Sequence, residues 1–259
     1  MAALTSIILA AGEGTRLRPH TVECPKCLVP VNERPLIHYQ LDVIRSVGID
    51  RIVIVGGYLA EQLRPIEATL RINADYNTTN MVHSLFCARD LIQGDVLISY
   101  GDIVYSRNIL ERLIAAPYDI SVVIDREWEP YWQARFEDPL LDAETLKINA
   151  KGCIQEIGQT PRNLTEIEGQ YIGLMKFSSK GVDALQKTHA IASGAGELRG
   201  KPVEKAYMTD LIQAMIDCDT EVWPVHIDGA WVEIDTVEDL SLDVTCNRIR
   251  SISNSCQSQ

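Results

Sequence analysis

The chain has 259 residues, 46% hydrophobic and 23% charged, which is enough for one large domain with a real core. Its formal net charge of −12 argues against broad binding to nucleic acid or anionic membrane, since both need an extended basic surface. Seven scattered cysteines point to a reducing compartment, the N-terminus lacks the basic start of a secretory signal, and no run approaches ~18 apolar residues. A soluble, cytoplasmic protein is therefore expected.

In chain order, "LTSIILA" predicts a buried strand, "LIHYQLDVIRSVG" a helix closed by Gly48, and "RIVIVGG" a second strand. "MVHSLFCARDLI" predicts a helix with Asn80 as N-cap and Met81, Leu85, Ala88 and Leu91 on one stripe. "DVLISYGD" reads as a strand ending in a turn, "RNILERLIAA" as a helix and "DISVVID" as another strand. From about Arg126 to Glu168 the rhythm changes, and short strands and loops added to the sheet are expected. "GQYIGLMKF" resumes a core strand; two helices, the late strand "GAWVEID" and a C-terminal helix follow. The alternation predicts an α/β fold with a doubly wound, mostly parallel sheet. The expected layout is one domain over residues 1–250, with an acceptor-side insertion at 126–168 and a flexible tail at 251–259.

Leaving the first strand, "AAGEGTRLRP" offers Gly12 and Gly14 in a turn whose backbone N–H groups would face a ligand at the sheet edge. Arg16, Arg18 and Lys26 follow, so the acidic chain concentrates three cations beside that turn. The pattern is not a P-loop, because G-x-x-x-x-G-K-[ST] is absent. Nor is it a dinucleotide fingerprint: Leu17 replaces the third glycine, and Pro19 and Pro25 interrupt the helix. Cys24 and Cys27 form a C-x-x-C without a second pair at zinc-ligand spacing, so an incidental pair is expected.

The conjunction is more specific. L-A-A-G-x-G-T-R-L-x-P, then P-K-x-L-V-P-V, then x-P-L-I, within Ile7 to Ile37, resembles the signature of the nucleotidyltransferases that make activated sugars and headgroups from nucleoside triphosphates. The resemblance implies a Rossmann-like nucleotidyltransferase fold. It places the backbone of Leu9, Ala10, Ala11 and Gly12 at the base and Gly14 and Thr15 around the triphosphate. Arg16 and Lys26 would carry the chemistry, while Arg18 could equally be a solvated charge.

A triphosphate calls for Mg2+, which takes one or two carboxylates and fills its shell with substrate oxygens. Asp102 and Asp235 each stand just past a strand, in "ISYGD" and "WVEID". A lone Asp there is usually a turn or cap residue, but the two match the family's metal pair in sequence order. Glu233 shares a strand face with Asp235; it either completes the metal shell or is half-buried and paired. The implied reaction is in-line attack of a phosphate or phosphonate oxygen on the α-phosphorus, expelling pyrophosphate. With a second pKa of about 6 the nucleophile is already largely ionised, so no Ser–His or Cys–His base is required.

"YNTTNMVHSLFCARDLIQGDVLISYGDIVYS", "EGQYIGLMKFSSKG" and "WVEIDTVEDL" extend the resemblance over most of the chain, toward the cytidylyltransferases that activate phosphocholine and small phosphonates. CTP and a small phosphate- or phosphonate-bearing acceptor are thereby implied. The resemblance brings Asn80 and Ser84 beside the nucleotide, though either could be a plain cap or a helix-face hydroxyl. Gly57 and Tyr58 are expected to line the base pocket. In the insertion, Trp128, Tyr131 and Trp132 beside Asp125 could cage an ammonium, and Arg135 could grip a phosphate or carboxylate. The alternative is that these aromatics pack the insertion onto the sheet. Glu168, Gln170, Tyr171, Asp210 and Trp231 are further acceptor-binding candidates by resemblance. The expected activity is Mg2+-dependent cytidylyl transfer; the alternatives are a sugar-1-phosphate nucleotidyltransferase and a non-catalytic nucleotide-sensing subunit. Homo-oligomerisation is left open.

Overall fold

The protein is represented by a computed structural model that describes residues 4–257. Its strands are β1 (Thr5–Ala10), β2 (Arg51–Gly56), β3 (Thr69–Ile72), β4 (Val96–Tyr100), β5 (Ile103–Tyr105), β6 (Ile120–Asp125), β7 (Leu146–Ile148), β8 (Ile154–Ile157), β9 (Gln170–Phe177), β10 (Trp223–Ile227) and β11 (Trp231–Glu233), besides four two-residue strands. The helices are α1 (Leu36–Ser46), α2 (Met81–Phe86), α3 (Arg107–Ala115), α4 (Trp128–Arg135), α5 (Ser179–Ala195), α6 (Met208–Asp217) and α7 (Asp243–Gln257).

Seven strands form the central sheet in the order β10-β6-β9-β4-β1-β2-β3. Neighbours run parallel except at β9, which is antiparallel to both β4 and β6. The continuous apolar runs of β1 and β6 are buried along their whole length, as strands covered on both faces must be. One face packs against α1, α3, α4 and α7 through residues such as Ile8, Leu41, Leu110, Trp128 and Ile249. The other packs against α2, α5 and α6 through Ile7, Val82, Leu185 and Leu211. The doubly wound, mostly parallel sheet is the expected one. A cleft opens at the C-terminal ends of β1 and β4, where residues 9–12 and 100–102 line it.

The structure differs from the sequence reading in four places. The edge strands β3 and β10 were not anticipated; β3 is only half covered, so its pattern is weak. The helix after Asn80 ends at Phe86, because the Cys87 N–H bonds both the His83 and Ser84 carbonyls and tightens the chain into a 3-10 turn. Residues 128–135 form helix α4 rather than strands and loops. Pro130 is tolerated there because it lies in the first turn, where no helical N–H bond is lost. Helix α7 continues to Gln257 where a tail from Ser251 was expected; Ser258 and Gln259 lie outside the described residues. Among the described residues no helix is long and apolar enough to cross a membrane.

Candidate active site

The loop after β1 begins the site. Gly14 takes φ +63°, and a Cβ there would come 2.9 Å from the Lys26 side chain, so only glycine admits both this turn and the close lysine. The Thr21 hydroxyl donates to the Gly14 carbonyl at 2.8 Å and holds the turn. A cavity of about 340 Å³ lies over this loop. Its walls include Leu9, Ala10, Ala11, Gly12, Gly14 and Thr15, with Asn80 and Ser84 opposite. Asn80 accepts from the Met81 N–H at 2.9 Å, capping α2, and Ser84 accepts from Asn73 Nδ2 at 2.9 Å. Both are therefore structural partners and cavity walls at once.

Gly57 and Tyr58, expected to line the base pocket, instead brace it from behind. The Tyr58 N–H donates to the Ala11 carbonyl at 3.0 Å, and a Cβ on Gly57 would come 2.6 Å from that same oxygen. The wall itself is Tyr76, packed edge-on against Tyr58 with centroids 6.0 Å apart. Arg18 pairs with Glu13 at 3.2 Å on the exposed side of the loop and is not part of the wall, as a solvated charge would be.

Two cations and two carboxylates converge on the cavity. Lys26 Nζ donates to Asp102 Oδ2 at 2.6 Å and to Asp235 Oδ1 at 2.5 Å. Arg16 donates to Asp235 Oδ2 and lies 3.7 Å from Asp142. Burial alone would lower the Lys26 pKa, but the carboxylates of Asp102, Asp235 and Glu233 raise it above its ordinary value. Burial likewise pushes Asp235 upward, and Lys26 and Arg16 overcome it, so its carboxyl is held below the usual range. Both charges persist at neutral pH. The N–H of Ile234 donates to the Asp102 carbonyl at 3.0 Å, which stitches the two carboxylate-bearing turns together.

Among the described residues no group of three or more His, Cys, Asp or Glu side chains could hold a metal. A pair of carboxylates suffices for magnesium when phosphates supply the rest. Asp102 Oδ1 is buried without a hydrogen-bond partner, an orphan acceptor of the kind a cation would satisfy. Asp102 and Asp235 thus fit such an ion. Glu233 does not join them, since Arg135 Nη1 holds its carboxylate at 2.7 Å. Burial pushes the Glu233 carboxyl up to about 7 against the pull of Arg135.

A second cavity of about 180 Å³ shares the walls Arg16, Met81, Tyr100, Glu233 and Asp235 with the first. Of the expected acceptor residues, Trp132, Gln170, Tyr171 and Trp231 line it. Five do not. Asp125 is fully buried and accepts from Trp231 Nε1 at 2.7 Å and from the Gly229 N–H at 3.0 Å, so it orients the Trp231 wall. Trp128 packs edge-on against Trp132 in the core. Arg135 is wholly buried on Glu233 and Asp239. Asp210 caps α6 by accepting from the Tyr207 N–H and binds Lys201, each at 2.9 Å. Glu168 is exposed, and its carboxylate accepts from the Ile148 N–H at 3.4 Å.

Sequence reasoning missed Glu144, which lies in this cavity. Its backbone is locked by Gln170, whose side chain accepts from the Glu144 N–H at 3.0 Å and donates to its carbonyl at 2.6 Å. Burial, with Asp210 and Asp142 nearby, raises its carboxyl to about 7. Among the described residues its carboxylate makes no hydrogen bond or ion pair. No local pattern marks this residue. Tyr76, Asp142 and Tyr207 are also walls without a sequence signature.

This arrangement can receive a polyphosphate and a divalent ion on one side and a second, compact reactant on the other. Such a division at the edge of a doubly wound sheet defines an enzyme of nucleotidyl transfer. The chain belongs to the MobA-like NTP transferase domain family, which it matches over residues 6–166. It is 39% identical over 253 residues to the CTP:phosphoglutamine cytidylyltransferase of Campylobacter jejuni, covering 93% of this chain and 99% of that one. It is 35% identical over 119 residues to the choline-phosphate cytidylyltransferase of Streptococcus pneumoniae, covering 44% of this chain and 52% of that one. The solved inositol-1-phosphate CTP transferase of T. maritima shares the fold with a TM-score of 0.75 at 18% identity, over 97% of each chain.

Proposed function

We propose that this enzyme joins CTP to a small acceptor bearing a phosphate or phosphonate, giving a CMP-linked product and pyrophosphate, with magnesium as the metal. The observation that carries this reading is the array of Arg16, Lys26, Asp102 and Asp235 beside the glycine loop. It combines two cations for phosphates with two carboxylates for a divalent ion. The names of the relatives above, each a CTP-using enzyme with a phosphate-bearing acceptor, support the choice of nucleotide and acceptor class.

In this reading the base lies along Ala10–Gly12 and Tyr76, and the triphosphate lies over Gly14 and Thr15. Lys26 and Arg16 leave their carboxylates for the phosphates and offset the charge that builds there as the reaction proceeds. Magnesium, when bound to Asp102 and Asp235, supplies neutralisation of the α-phosphate and the leaving pyrophosphate. The acceptor oxygen, already ionised, forms its bond to the α-phosphorus as the bond to pyrophosphate breaks, and the second cavity aligns it. Glu144, among Tyr171, Trp132 and Trp231, suits an ammonium at the far end of the acceptor. The reaction is assigned to a single domain over residues 1–250 in the cytoplasm, with 126–168 on the acceptor side.

The test is pyrophosphate release from a panel of the four nucleoside triphosphates. Each is paired with glutamine phosphate, phosphocholine, 2-aminoethylphosphonate and hexose 1-phosphates, with and without magnesium. Magnesium-dependent turnover of CTP with an amine-bearing acceptor is expected. Turnover confined to hexose 1-phosphates, or to another nucleotide, would overturn the reading.

A further inference from the structure

We propose that Arg135 is a positioning residue, one that sets the Asp235 carboxylate from inside the acceptor-side insertion. The inference rests on the reading of Asp235 as a metal ligand. Arg135 ends helix α4 with its side chain 0% exposed, so it meets neither nucleotide nor acceptor. Its Nε and Nη2 donate to the two oxygens of Asp239 at 2.9 and 3.2 Å, a bidentate pair, and its Nη1 donates to Glu233 at 2.7 Å. The rings of Tyr131, Trp132 and Phe136 stand 5.0–5.4 Å from the guanidinium and fix it on its remaining sides.

Asp239, itself 1% exposed, passes that constraint on. Its Oδ2 accepts from the backbone N–H of Asp235 at 2.8 Å and of Thr236 at 2.9 Å. The Thr236 hydroxyl in turn accepts from the Asp239 N–H at 3.3 Å, which closes the turn. The backbone that carries Asp235 is therefore held by a carboxylate that Arg135 holds. Along the second arm, Arg135 keeps Glu233 on the wall between the two cavities. The ring of Trp132, on the same helix, lines the acceptor cavity. One buried guanidinium thus joins the acceptor wall to the turn bearing Asp235.

Lysine at this position would keep the charge but lacks the planar fork that holds both oxygens of Asp239 while a third nitrogen holds Glu233. Partners that orient a metal ligand typically alter metal affinity by about 10- to 100-fold when lost. The experiment measures Mn2+ binding to the full chain with CTP by electron paramagnetic resonance, well below each variant's melting temperature. Arg135→Lys, Asp239→Asn, the double variant and Asp235→Asn are compared with the wild type, with folding checked by circular dichroism.

About tenfold weaker Mn2+ binding is expected for each of the first two, and the double variant should be no weaker than the worse single one, since both break one chain of contacts. Unchanged Mn2+ affinity in folded Arg135→Lys, or losses that simply add in the double variant, would overturn the proposal. If Arg135→Lys does not fold, Asp239→Asn decides by the same measure. If Asp235→Asn leaves Mn2+ binding intact, the metal reading of Asp235 fails and the inference falls with it. If Asp235→Asn abolishes binding while Arg135→Lys does nothing, only the inference falls.

Discussion

On the nucleotide side of the cleft, the charged groups come from strand ends and the loops just beyond them, and each charge is already matched by another. On the acceptor side, the walls come from helices, turns and strands far apart in sequence, and among the described residues the Glu144 carboxylate makes no hydrogen bond or ion pair. The first arrangement is suited to a ligand with fixed chemistry, the triphosphate. The second can change its occupant by changing a few wall residues, while the sheet beneath stays the same.

The contrast is broken most severely at Lys26. Lys26→Met is expected to lower kcat/KM for CTP by about a thousandfold, the scale of losing one charged transition-state partner. Lys26→Arg should not restore it, because a planar guanidinium cannot fill the place of a point charge. Steady-state pyrophosphate release checks both, and near wild-type turnover would remove Lys26 from the chemistry.

Next comes Glu144→Gln, which should raise the acceptor KM by about 30-fold, near the ~2 kcal/mol of a hydrogen bond between charged groups, and leave the KM for CTP unchanged. In the wild type the acceptor KM should rise as pH falls through about 7, where this carboxyl takes a proton. The Gln variant should lose that component. An equal rise in both KM values would show that the two sides are not separable.

The same group gives a smaller effect on stability. Its carboxyl is raised in the folded state, so the stabilisation it contributes is complete below the ordinary carboxylate pKa and is lost as pH rises through about 7. Glu144→Gln should therefore melt higher than the wild type at about pH 8, with the difference fading toward about pH 4. Calorimetry across that range checks the sign. Smallest of all is Cys24→Ser. Cys24 and Cys27 are free thiols in and beside the Lys26 turn, and the variant should retain near wild-type rates without added zinc.

The sequence made the nucleotide side legible because its evidence is contiguous. Glycines, cations and prolines fall in one window, and Asp102 and Asp235 follow strands whose apolar runs are plain. Within the insertion the acceptor side is read from residue type, and there the type misleads. Arg135 and Asp125 look like ligand-binding charges until Asp239, Glu233 and Trp231 are brought to them from about 100 residues away. The insertion does carry one local signal of burial. Trp128, Tyr131, Trp132 and Arg135 are spaced i, i+3, i+4 and i+7, the stripe of a helix packed on a core. Pro130 obscured it. Glu144 has no such signal, since its place in the cavity is set by Gln170 from 26 residues away.

The ion pairs of Lys26 have a consequence for how the resting enzyme meets its solution. Because Asp102 and Asp235 already serve as its counterions, the site gathers little salt from the medium and has little to release when a metal–nucleotide complex enters. Binding becomes an exchange of partners within the cleft. Affinity should then vary less steeply with ionic strength than it does where bare cations must shed condensed ions to receive phosphate. An acidic chain can in this way hold a polyphosphate without a basic surface to draw it in.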